Sequence, residues 1–299
     1  MSRVFRKGDR IFLETDEQEH YYYDESSVPL GQGAMGVVYL GNQYNHNGII
    51  KPVAIKRVKD KYSNISSIRM RAKQEASLMF GHPNLVEMLG YCEAMPDRGP
   101  IFIISKYVPG DTIDKYVSKN LQNLRNQYKR ICELCLHICD ALDYIHSYKI
   151  IHADIKPSNI MVESGINVRL MDLGISQVNV IHDLGSTGMM GTPRYAAPEQ
   201  FLSSSSMDAR TDIYELGVTI YELLAKRNPF DGESIEDIKE KHNTVTLPYV
   251  YGVPKVIIDV LRKATKPLPI HRYQSALEFK SALSGALQKK QSVFHWLWG

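Results

Sequence analysis

The chain has 299 residues, 43% hydrophobic and 23% charged, a balance that supports one large core or two smaller ones. Its formal net charge of +3, with no basic run interleaved with aromatics, gives no case for nucleic acid as a partner. The opening MSRVFRKGDR lacks an apolar signal region and no apolar run nears the ~20 residues that span a bilayer, so the expectation is a cytoplasmic protein with no membrane span.

The first hundred or so residues read mainly as strand. RIFLET, HYYYD, VVYLG, PVAIKRV and IFIISKYV are rich in β-branched and aromatic residues. NQYNHNG between two of them reads as a hairpin tip, with Asn47 and Gly48 as the turn pair. One helix interrupts, from Ser66 to Phe80, with Ser and Asn as capping candidates and a stop at Gly81, His82 and Pro83. After Pro109 and Gly110 the character changes to helix. Ile131, Leu134, Ile138, Leu142 and Ile145 recur at helical steps between Asn126 and Ser147. A second helix over 212–225, DIYELGVTIYELLA, is apolar on nearly every side and therefore central. Further helices are predicted near 234–241, 255–264 and 274–288. Ser203 to Ser206 reads as a loop, and no internal repeat appears.

The switch near 106–110 predicts an α+β fold of two lobes with a ligand cleft between them. The boundaries expected are 1–105 for the β-rich lobe, with an N-terminal extension over 1–20, then 106–290 for the helical lobe and 291–299 for a docked tail. Cys132, Cys135 and Cys139 fall in one helical pattern. No second Cys/His pair has ligand spacing, so buried thiols fit better than a redox or metal site.

Three stretches carry chemistry. GQGAMGVV places Gly31, Gly33 and Gly36 between two antiparallel strands rather than between a strand and a helix. Such a loop is either a plain hairpin or a cradle whose N–H groups meet a phosphate. Lys56 ends an otherwise apolar strand. It either snorkels to water or meets an anion, with Glu75 on the following helix able to hold it. HADIKPSN gathers Asp154, Lys156 and Asn159 around a proline.

Taken together these segments resemble the protein kinase family over nearly the whole chain. GQGAMGVVY resembles the glycine-rich loop, VAIK the strand lysine, and Glu75 the helix glutamate. HADIKPSN is similar to the catalytic loop, DLG at 172–174 to the metal-binding motif, and AAPE at 196–199 to the end of the activation segment. DIYELG resembles the central-helix motif, and Arg272 the late arginine that pairs with Glu199. GTPRYAAPEQ and GAMGVVYLG look most like the bacterial serine/threonine kinases of eukaryotic type.

The resemblance implies a serine/threonine protein kinase that uses ATP with Mg2+, Mn2+ serving as a substitute, and that autophosphorylates. Asp154 would accept the proton of the substrate hydroxyl, Lys156 would neutralise the moving phosphoryl group, and Lys56 with Glu75 would hold the phosphates. Asn159 and Asp172 would bind metal. Leu30, Val38 and Ala54 would roof the adenine and Met161 floor it. Ser105 falls at the gatekeeper position, and Lys106 and Val108 lie in the hinge. Thr192 would line the substrate site. The implied partner is a Ser/Thr-containing protein, with the chain itself a monomer or weak dimer. A kinase-fold scaffold without catalysis is the alternative, against which Lys56, Asp154, Asn159 and Asp172 all stand.

Two positions depart from the family pattern. Leu173 replaces the usual Phe and stays apolar. Ala153 replaces the usual Arg, which would pair with a phosphorylated activation-segment residue, so activity is expected not to depend on that contact. Ser186 and Thr187 are either autophosphorylation sites or residues of a solvated loop.

Overall fold

A computed structural model describes residues 2–33, 35–45, 48, 50–95, 98–121, 127–172, 193–202 and 207–288. Leu173, Ser186, Thr187, Thr192, Asn126, Asn47, Ser203 to Ser206 and the 291–299 tail lie outside the described residues. Those described fall into two compact units, one of 1–110 with 171–172 and one of 111–170 with 193–288. The boundary expected at 105/106 lies inside the first unit, because the Lys106 N–H donates to Glu87 O at 2.9 Å.

The first unit is a sheet of eight strands. They are β1 (Arg3–Lys7), β2 (Arg10–Glu14), β3 (His20–Asp24), β4 (Gly31–Gln32), β5 (Gly36–Tyr44), β6 (Ile50–Val58), β7 (Met88–Met95) and β8 (Arg98–Lys106). The order is β1-β2-β3-β5-β6-β8-β7, with β4 paired to β5, and every pairing is antiparallel. β1 and β7 escaped the sequence reading. RVFRK is mostly charged and exposed, and MLGYCEAM has few β-branched residues. The NQYNHNG tip is shorter than expected. Asn42 to Tyr44 remain in β5, and the turn closes with Gly48 N–H on Asn45 O at φ +73°.

Period-two alternation gives the sheet two buried faces. On one face Ile11, Leu13, Tyr21, Tyr23, Val53, Ile55, Cys92, Phe102 and Ile104 form a core. The sheet curls there so that β1 reaches β7: Ser2 Oγ both donates to Glu93 O and accepts from its N–H, at 3.2 and 3.3 Å. The other face packs against α1 (Asp60–Ser63) and α2 (Ser66–Ser77) through Val58, Tyr62, Ile68, Ala72, Ala76, Met88, Ile101 and Ile103. The helix predicted to reach Phe80 ends at Ser77, and its N-terminus has no side-chain cap. Asn64, a capping candidate, instead accepts the Gly99 N–H at the start of β8. Arg69 fastens α2 in place. It is buried and donates to Ser63 O, Gly99 O, Met95 O and the Glu93 carboxylate.

The second unit holds β9 (Asp111–Thr112), β10 (Ile160–Glu163) and β11 (Asn167–Leu170), which form a small antiparallel sheet. Its helices are α3 (Ile113–Asn120), α4 (Gln127–Ser147), α5 (Ala209–Ala225), α6 (Ile235–Thr244), α7 (Lys255–Ala264) and α8 (Ala276–Gln288). The five apolar residues predicted to share a face of α4 are all buried, as are its three cysteines. Burial pushes the Cys132 and Cys139 thiols up to about 12, so they behave as core side chains.

α5 is the axis of this unit. Asp208 caps it through the Arg210 N–H. At Gly217 a Cβ would lie 2.9 Å from Thr265 Cγ2 and 3.0 Å from Ala264 Cβ, so glycine permits the close approach of the α7 end. The helix is not uniformly apolar. Thr211, Asp212, Glu215 and Thr219 are buried in it, and each holds something outside the helix or is held by it.

Candidate active site

The predicted nucleotide residues of the first unit are organised by register. Gly31 pairs with Val38, Val38 with Lys56 and Ala54 with Ser105. Directly opposed residues share a face, and so do residues two apart. Val38, Ala54, Lys56 and Ser105 therefore stand on one face of the sheet, opposite to the face that buries Val53, Ile55 and Ile104. The glycine loop is closed by Leu30 N–H on Val38 O (2.8 Å) and Gly33 N–H on Gly36 O (2.9 Å). Lys59 Nζ donates to Gly33 O at 2.8 Å. At Gly36 a Cβ would meet Arg57 O at 2.7 Å, so any side chain would push β5 from β6.

Lys56 Nζ lies 3.2 Å from Asp172 Oδ2, with the lysine side chain 15% exposed. Asp172 adopts φ +49°, an uncommon left-handed backbone for an aspartate. Glu75 is buried on α2. Val108 is buried, whereas Lys106 turns to solvent, its Nζ 3.5 Å from Glu87 Oε2.

In the second unit Asp154 is 7% exposed and almost fully engaged. Lys156 Nζ donates to it at 2.8–2.9 Å. Asn159 Nδ2 donates to both its carbonyl and its Oδ2, each at 2.8 Å. The reach back is short because Pro157–Asn159 forms a 3-10 turn closed by Asn159 N–H on Lys156 O. Met161 follows on β10, paired with Thr112 and Arg169.

The loop before Asp154 is strained and held. Ala153 has φ +57°, which an L-residue adopts at a cost of about 1–2 kcal/mol. Buried Asp212 compensates by accepting the His152 and Ala153 N–H groups at 2.9 and 2.8 Å and the His146 Nε2–H at 2.7 Å. Glu215 Oε2 accepts the Ile155 N–H at 2.8 Å, and Thr219 Oγ1 donates to Ile155 O at 3.1 Å. Burial pushes the Glu215 carboxyl well above the ordinary carboxylate range, and Asp212 beside it adds to the rise.

The pair expected between Glu199 and Arg272 forms with two parallel bonds of 2.7 Å. Glu215, Thr219, His146 and Gln200 were not singled out in the sequence. The usable signal was polar residues at 212, 215 and 219, spaced to share one stripe of a helix that is otherwise apolar.

A glycine loop closed over strand pairs and a lysine ion-paired to an aspartate in the first unit, and an Asp-Lys-Asn loop hung from a buried helix in the second, are features that protein kinases share. The chain belongs to the protein kinase family: residues 25–290 match the protein kinase domain. β1 to β3 thus precede the matched residues. It is 30% identical over 267 residues to the serine/threonine-protein kinase PrkC of Bacillus subtilis (strain 168), 86% of this chain and 39% of that protein. To the serine/threonine-protein kinase PknB of Mycobacterium tuberculosis (strain ATCC 25618 / H37Rv) it is 32% identical over 266 residues, 85% of this chain and 41% of that protein. To the probable serine/threonine-protein kinase PknB of Lactococcus lactis subsp. lactis (strain IL1403) the identity is 30% over 270 residues, 87% and 42% of the two chains. The chain therefore spans about two-fifths of the length of these curated relatives. Among the described residues no helix is long and apolar enough to cross a membrane.

Proposed function

We propose that the chain is an ATP-dependent protein serine/threonine kinase that transfers the γ-phosphoryl group to Ser/Thr hydroxyls of protein substrates, its own included. The observation that carries this reading is Asp154, a carboxylate fixed by Lys156 and Asn159 on a loop anchored to α5. Phosphoryl transfer needs positioning and charge neutralisation more than covalent chemistry. Asp154 orients the acceptor hydroxyl and takes its proton on a carboxylate oxygen. Lys156, already on Asp154, is the cation available to the moving phosphoryl group. Lys56 holds phosphate oxygens, with Glu75 steadying its ammonium. Gly31, Gly33 and Gly36 let the loop backbone lie close to the nucleotide. Leu30, Val38, Ala54 and Met161 pack on the base, and Ser105, Lys106 and Val108 form the hinge.

Asp172 and Asn159 are the residues that would hold Mg2+. Their oxygens suit a hard cation that binds few protein groups, and with Asn159 Nδ2 committed to Asp154 its Oδ1 is the atom that would face such a cation. Mg2+, when bound, neutralises charge on the triphosphate. The relatives are named serine/threonine-protein kinases, which supports the choice of acceptor. On this reading the β-rich and helical units are the two lobes of the family fold, and the need for ATP favours a cytoplasmic site of action.

The test is incubation with labelled ATP, Mg2+ and a generic protein substrate. Wild type is expected to label the substrate and itself. Asp154→Asn is expected to lose at least about 100-fold, since general-base positioning contributes 10²–10⁴-fold. Equal labelling by both proteins would overturn the assignment.

A further inference from the structure

Asp154 sits between two peptide groups, and one buried pair holds both. On its N-terminal side Ala153 O accepts from Gln200 Nε2 at 3.2 Å. On its C-terminal side the Ile155 N–H donates to Glu215 Oε2 at 2.8 Å. The two braces grip the peptide groups on either side of the same residue, Asp154. Gln200 Oε1 in turn accepts the Ala197 N–H. Both side chains are buried, Gln200 at 8% and Glu215 at 2% exposure, so solvent does not compete for these bonds.

This arrangement differs from the Asp212 anchor. Asp212 holds the peptides of His152 and Ala153, upstream of the reacting carboxylate. Glu215 and Gln200 take the groups on either side of Asp154 and join them to the 193–202 segment. We propose that Glu215 and Gln200 are a positioning pair that fixes the aim of the Asp154 carboxylate and couples it to the 193–202 segment. The inference rests on the kinase reading, in which Asp154 is the proton acceptor.

The physical basis is leverage. Rotation of either flanking peptide swings the Asp154 side chain, and a displacement of ~1 Å at a reacting group costs about 100-fold in rate. Thr219 restrains only Ile155 O, and no bond of Asp212 reaches past Ala153 N. Loss of the pair therefore releases Ala153 O and Ile155 N–H together. The Lys156 and Asn159 contacts remain, so nucleotide binding should be untouched while turnover falls.

The experiment measures kcat, KM for ATP and thermal melting of the full chain for wild type, Asp154→Asn, Glu215→Ala, Glu215→Gln, Gln200→Ala and the Glu215→Ala/Gln200→Ala double variant. Wild-type labelling that Asp154→Asn abolishes establishes the kinase reading separately. Glu215→Ala and Gln200→Ala are each expected to lower kcat about 10- to 100-fold with KM for ATP within about 3-fold. Glu215→Gln keeps an acceptor for the Ile155 N–H and is expected to stay within about 5-fold of wild type. The double variant should be no worse than the worse single one, because both bonds act on the aim of the one carboxylate and either loss frees it. Should Glu215→Ala fail to fold, Gln200→Ala and Glu215→Gln still decide. The proposal is overturned if folded Gln200→Ala keeps kcat within about 3-fold, if Glu215→Gln is as impaired as the alanine variant, or if the single losses multiply in the double variant.

Discussion

Removal of the Glu199 carboxylate, buried in the short 3-10 turn Pro198–Phe201, should strongly destabilise the helical unit. Arg272 is fully buried and Glu199 6% exposed, and the two meet through a pair of 2.7 Å bonds. The guanidinium also donates to Lys266 O, Pro267 O and Arg210 O and lies 4.7 Å over the Tyr214 ring. Thr211 Oγ1 completes the carboxylate. The 3-10 turn of Pro198–Phe201, the start of α5 and the loop before α8 thus converge on one ion pair. In Glu199→Ala the buried arginine keeps its carbonyl partners but loses its hydrogen-bonded counter-charge. An uncompensated buried charge costs about 3–5 kcal/mol. At about 2–4 °C per kcal/mol for a unit of this size, the melting temperature should fall by about 6 to 20 °C. Arg272→Met should cost a similar amount by stranding the carboxylate. The Glu199→Ala/Arg272→Met double variant removes both charges and should recover at least about 1.5 kcal/mol relative to the sum of the single changes. Thermal and urea melts of the four proteins measure this. A loss below about 1 kcal/mol in Glu199→Ala, or strict additivity in the double variant, would refute the reasoning.

Two further outcomes follow from buried groups. Burial holds His242 neutral, its value lowered to about 4, with Tyr214 OH donating to Nδ1 and Nε2–H donating to Pro193 O. The unfolded chain takes up that proton near 6.5, so the contribution to stability is full above about pH 6.5 and is lost as pH falls toward 4. Wild type should lose about 2 kcal/mol more than His242→Gln between about pH 7.5 and 5 in urea melts, and parallel pH profiles would contradict this. Ala153 offers only a methyl group to a phosphorylated loop, so Ser186→Ala/Thr187→Ala should keep peptide phosphorylation within about 10-fold of wild type, whereas a hundred-fold loss would show another phosphate receptor.

How far the sequence reached depended on whether a feature is local. The helices over 127–147, 209–225 and 255–264 were legible because apolar spacing and caps act within a few turns. Lys56 was conspicuous as a charge after the apolar run PVAI, although β6 continues through Arg57 to Val58. Asp154 and Asn159 stood out through the resemblance of HADIKPSN to a catalytic loop, and the structure adds that a proline-led turn brings the Asn159 amide back onto the Asp154 carboxylate. β1 and β7 were not, since a charged or glycine-containing strand declares itself only through its partner.

The residues alone therefore determined the family and the change from strand to helix, because each is written in short-range chemistry. Only the tertiary structure decided that Ala153 is held at φ +57° by Asp212, that Arg69 fastens α2 to Glu93, and that Glu215 and Gln200 meet around Asp154. A polar side chain in the sequence has no sign of its partner. Whether Glu215 is a surface carboxylate or a buried acceptor is fixed by which peptide the fold brings to it, 60 positions away.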